Sequence, residues 1–119
     1  MLLANRLLSN AAGAFVVLAL AAFLEAFADS FFQDGVHRSS GTGRVTAFAA
    51  GVAVMTAYGL LVNVPRWDFG RLIGVYVAFF FLMAQVLNRV RFGHAPSAPI
   101  YAGGTLIVAG GLVIAFWHG

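Results

Sequence analysis

An all-α membrane protein with four transmembrane helices is predicted by three features of the 119-residue sequence. Hydrophobic residues make up 61% of the chain and charged ones 9%, so a monomer in water could not hide its apolar surface. Four apolar runs, about 11–32, 45–63, 70–88 and 98–117, nearly fill the sequence, and each approaches or exceeds the ~20 residues that a helical span needs. None of them alternates with period two. Backbone polar groups need partners inside hydrocarbon, so these runs are helices and not barrel strands. The chain is read as a single domain, 1–119, with almost no mass outside the membrane.

Composition excludes several functions. Without cysteine there is neither a disulfide framework nor a thiolate metal site. Histidines at metal-binding spacing and a Ser-His-Asp arrangement are also missing, so no enzyme, metal or cofactor is expected. All seven basic residues are arginines in short loops or at the ends of spans. That placement speaks of lipid headgroups and topology, with no nucleic-acid partner.

The first span is organised around Glu25. Met1 to Asn10 form a short amphipathic lead-in, with Arg6 at headgroup reach and Ser9 or Asn10 as a cap. Arg6, the apolar run and Ala26-Phe27-Ala28 imitate a cleaved secretory signal. Against that, the run is long for a signal core and Glu25 immediately precedes the small-x-small motif, so a retained span is the preferred reading. An ionised carboxylate in hydrocarbon costs at least ~2.5–3.5 kcal/mol, so Glu25 must face protein or water. Two readings remain: an acid satisfied by a hydroxyl or an arginine in helix packing, or a carboxylate that binds protons or cations. The second is preferred. At helical spacing its neighbours are Leu18, Ala21, Ala22, Ala28 and Asp29, the alanines leaving room for another helix or a ligand. Asp29 shares the face at i, i+4, where like charges favour a shared proton, or it sits hydrated at the interface.

The stretch from Ser30 to Arg44 reads as the longest polar loop, with His37 solvated in it. The second span, Val45 to Asn63, carries small residues for close helix approach and has Thr56 and Tyr58 as polar handles. Pro65 stops it, Trp67 belongs at headgroup level, and Asp68 can cap the third helix. In that third span, Gly70 to Asn88, Tyr76 offers an aromatic face to a cation and a hydroxyl to a carboxylate. An ordinary packing role for Tyr76 is the competing reading. His94 is placed in the following basic loop. The fourth span is uncharged and holds glycine pairs one heptad apart, Gly103-Gly104 and Gly110-Gly111. Such spacing marks a face for close packing, here read as a dimer interface. Trp117 and His118 end at the membrane surface.

Four spans put both termini on one side. Arg6, Arg66 and Arg71 lie there, against Arg38, Arg44, Arg89 and Arg91 opposite. Arginine and lysine bias sets orientation, and three against four is nearly none. Insertion both ways round, with antiparallel pairing, is therefore expected; crowding of Arg38 and Arg44 in one loop is the argument for a single orientation.

Taken together, Glu25 in an alanine-rich first helix, four short spans, balanced charge and the run Gly103 to Gly111 resemble the small multidrug resistance transporters. Ala57-Tyr58-Gly59, Phe69-Gly70-Arg71, Gly74-Val75-Tyr76 and Gly93-His94-Ala95-Pro96 look most like the YnfA-type branch. The resemblance covers nearly all the chain after Asn10. It implies an antiparallel homodimer in the bacterial inner membrane, with two copies of the glutamate in one shared site. Protons and a small hydrophobic or quaternary cation would compete for Glu25, with Tyr76 lining the site; Asp29 and Tyr58 are read from the residues themselves as further proton- or substrate-binding candidates. Gly103, Gly104, Gly110 and Gly111 would form the dimer face, and export would proceed by alternating access. The chain departs from that pattern at Val77-Ala78-Phe79, where the exporters carry a small-residue kink, and at Ile73, where an aromatic is usual, while Asp29 and the ten-residue lead-in are additions to it. A nontransporting membrane partner or a component of a lipid-linked sugar flippase are the alternative functions.

Overall fold

The computed structural model describes residues 11–37 and 40–117. Four helices follow one another: α1 (Ala11–His37), α2 (Gly41–Val62), α3 (Phe69–Phe92) and α4 (Ala98–Phe116). Each is long and apolar enough to cross a membrane, and among the described residues there is no strand. The amphipathic lead-in, the signal-like start, Arg38 and His118 lie outside the described residues.

Three spans are longer than the sequence suggests. α1 runs on through Gln33, Asp34 and His37, whose polarity reads as loop, and α2 begins at Gly41. Polar composition alone does not end a helix. Gly35 is accommodated because the Phe48 ring of α2 lies where its Cβ would stand, at 2.5 Å. Asp34 is held by an ion pair to Arg91 near the end of α3. The guanidinium of Arg91 also lies over the rings of Phe31 and Phe92, 4.9 and 5.6 Å from their centroids. The α1–α2 connection therefore shrinks to a few residues around Ser40, and His37 is exposed in the last helical turn. α3 likewise extends to Phe92 and ends on Gly93, whose φ of 70° is the left-handed conformation that glycine adopts without a Cβ penalty.

The short turn before α3 follows its sequence. α2 stops at Val62, and the Asp68 carboxylate accepts the Arg71 N–H at 3.1 Å, capping α3. Arg71 then reaches across to donate to the Ala115 carbonyl at 2.9 Å, one of the groups left unpaired at the end of α4. Its guanidinium lies 4.5 Å from the Trp67 ring.

α1 and α3 form the inner pair, with α2 against α1 and α4 against α3. The alanines explain the order. Ala14, Ala21, Ala22 and Ala28 of α1 are fully buried, so the room beside the carboxylate is filled by neighbouring helices. Leu18, Ala21, Ala22, Val62, Leu72, Val75, Tyr76 and Ala115 make one core, drawn from all four helices. Outer faces are apolar, as lipid contact requires, with Leu60 and Leu106 73% and 75% exposed. The molecule is only 21 Å thick along its shortest axis, about two helix diameters.

Candidate functional site

Glu25 stands ten residues beyond Phe15, so it lies ~15 Å deeper along α1. Phe15 marks one end of the bundle, where its ring meets Trp67 edge-on at 5.7 Å, Phe79 at 6.1 Å and Phe116 at 5.9 Å. For a hydrocarbon slab of ~30 Å, that depth is the midplane. Tyr76 reaches the same level from α3, and its hydroxyl donates to Glu25 Oε1 at 2.6 Å. Tyr76 is buried and Glu25 is half-buried. The short bond gives the carboxylate one charge-assisted partner and leaves its other oxygen free to take a proton or face a cation.

Aromatic rings surround the pair. Tyr58 of α2 lies 5.7 Å from the Tyr76 ring, centroid to centroid, and Phe80 stacks on its other side at 6.2 Å. Helix α2 thus contributes to the site from near its end. Ile73 packs against the same core. A carboxylate beside stacked aromatic faces provides both attractions an organic cation uses, ionic and cation–π.

The other predicted residues are distributed differently. Asp29 is exposed and lines a separate cleft one turn along α1; among the described residues no hydrogen bond joins it to Glu25. The four glycines of α4 divide into two pairs. Gly104 and Gly111 face α3 of the same chain, where an added Cβ would meet the Phe81 ring at 2.5 Å and the Ala78 Cβ at 2.6 Å. Gly103 and Gly110 have nothing within 4 Å of that position. Part of the glycine pattern is therefore spent inside the protomer, and only the second pair lies open to another molecule. α3 passes through Val77-Ala78-Phe79 as continuous helix.

Sequence reading missed three contributors: Gln33, placed in a loop, and Gln85 and Asn88, treated as span residues without a role. All three line the Asp29 cleft. Their signal was present as spacing, since Asp29 and Gln33 are four apart and Gln85 and Asn88 three apart, each pair on one helix face. Among the described residues, no three of His, Cys, Asp and Glu converge to hold a metal ion.

No family model, curated protein or solved structure matches this chain. Fold and composition define its class: a helical membrane protein with four spanning helices and a carboxylate–tyrosine pair at mid-depth.

Proposed function

We propose that the protein is a proton-coupled membrane transporter that exports small hydrophobic or quaternary cations by alternating access, in the manner of the small multidrug resistance transporters and most like their YnfA-type branch. The observation that carries this reading is the Tyr76–Glu25 bond at mid-membrane depth, with Tyr58 and Phe80 flanking the tyrosine ring. Glu25 would be the coupling acid. A proton and a cation cannot both neutralise one carboxylate in a low-dielectric site, so binding of either expels the other.

The working unit in this reading is an antiparallel homodimer in a bacterial inner membrane. Glu25 is only half-buried and Asp29 is exposed, both within a span. Charged groups at that depth face protein or water, so a second copy covering this face would remove their contact with lipid. The near-equal arginine counts allow the copies to insert in opposite senses. One observation favours the alternative of a nontransporting membrane partner: α3 is unbroken where the exporters are kinked.

The test is proton release from purified, weakly buffered protein on adding tetraethylammonium, tetraphenylphosphonium and related cations, beside Glu25→Gln. Release by the wild type that vanishes in Glu25→Gln is the expected result. A folded dimer that releases no protons to any of these cations would move the assignment to the nontransporting partner.

A further inference from the structure

Beyond Glu25, on the side away from the Phe15–Trp67 cluster, the seam between α1 and α3 opens into a cleft of about 280 Å³. That is room enough for several waters. Asp29 and Gln33 line it from α1, Gln85 and Asn88 from α3, and Ala26 and Phe80 lie at its inner end. That inner end borders residues adjoining the carboxylate–tyrosine pair, although neither Glu25 nor Tyr76 itself lines the cleft. Ala26 follows Glu25 directly, and Phe80 stacks on Tyr76 at 6.2 Å. In the opposite direction the path is dry: Leu18, Leu72 and Val75 are buried against Tyr76, with Phe15 and Phe79 packed on them.

Four amide or carboxylate side chains in membrane spans are costly against lipid and inexpensive when hydrated. We propose that this cleft is a hydrated, one-sided vestibule through which protons and small organic cations reach Glu25 from the end of the bundle bearing His37 and Phe92. Asp29 meets the arriving cation one turn beyond Glu25, and the side chains of Gln33, Gln85 and Asn88 hydrogen-bond the water that fills the cleft. The opposite end of the protomer is closed by the aromatic cluster. What the vestibule delivers rests on Glu25 being the exchanging acid; the water path itself does not.

The sequence has no cysteine, so each introduced thiol is the only one. In membrane-reconstituted full-length protein, Gln33→Cys and Gln85→Cys are compared with Leu72→Cys in the dry core and Leu106→Cys on the lipid face. A permanently charged methanethiosulfonate is applied to both sides. The cleft thiols should react roughly a hundredfold faster than the two controls, the factor by which hydrocarbon excludes such a charge. Equal rates would overturn the proposal. The unaltered chain supplies a second measurement, because a water-soluble carbodiimide should label Glu25 as well as Asp29, read by mass spectrometry of the peptides. A Glu25 that stays unlabelled would also overturn it. An adduct at Gln33→Cys should sharply reduce Glu25 labelling; labelling that ignores the adduct would remove the vestibule and leave proton–cation exchange standing. Conversely, no cation-driven proton release with the labelling pattern intact would remove exchange and leave the vestibule.

Discussion

A tyrosine hydroxyl 2.6 Å from a carboxylate is the closest polar contact between α1 and α3 at mid-depth, and its energetic weight can be measured. Hydrogen bonds to charged groups contribute about 1.5–3 kcal/mol, so Tyr76→Phe should lower unfolding stability in detergent by an amount in that range. Phenylalanine preserves the ring contacts with Tyr58 and Phe80, so the loss reports the hydroxyl alone. Glu25→Gln should cost less, because an amide oxygen still accepts from the tyrosine. The double variant should cost less than the two single changes summed, since both act on one contact. Strict additivity would show that the two groups do not depend on each other. Glu25 and Tyr76 could each be nominated from type and depth; their bond could not, because it needs two positions 51 residues apart to meet.

Helix α4 is fastened to α3 by small residues and by one arginine. Gly111 against Ala78, Gly104 against Phe81 and Gly74 against Ile114 bring the two helices close, and Arg71 ties the α3 start to the Ala115 carbonyl. Gly111→Ala should destabilise by about 1–3 kcal/mol, because its new methyl would sit 2.6 Å from the Ala78 Cβ, which only backbone movement can relieve. Gly104→Ala should be milder, since the Phe81 ring can turn. Gly103→Ala and Gly110→Ala should leave the protomer as stable or make it up to about 1 kcal/mol more stable, since nothing stands near their Cβ positions and alanine is the better helix former. Thermal unfolding of the four variants checks the order, and their elution as dimer or monomer tests whether the open pair joins two copies. At this scale the sequence announced a glycine face, while the pairing of faces came from the α3–α4 geometry.

The whole molecule is thin, with α1 and α3 inside and α2 and α4 outside. A slab about two helices thick leaves Glu25 partly exposed and Asp29 exposed, and in the proposed antiparallel homodimer a second copy would cover them. Antiparallel pairing requires both orientations in one membrane. Tags at the chain termini should be accessible from both faces in comparable amounts, given three arginines on one side and four on the other. Removing Arg44 and Arg89 together leaves two against three and should shift the population toward the inverted orientation. Tags found on one face only would exclude the antiparallel dimer and leave a parallel one or a different partner.

By itself the sequence determined the class and the number of spans. Apolar runs of membrane length must close their backbone hydrogen bonds within themselves, which dictates four helices whatever their packing. It also determined the short α2–α3 turn, because Pro65 and the Asp68 cap act through local geometry. Tertiary structure decided where α1 ends. Gln33 and Asp34 look like loop residues until Arg91 supplies the ion pair and Phe48 the surface against Gly35. It also decided that Tyr76 binds Glu25, that Asp29 turns to a polar cleft, and that Gly104 and Gly111 serve the protomer itself. The physical reason is common to all four. A residue's depth and helix face follow from its own position, but its partner is chosen by the rotation and spacing of another helix, and in a bundle of nearly uniform apolar surface those are set by which small residues let two backbones approach.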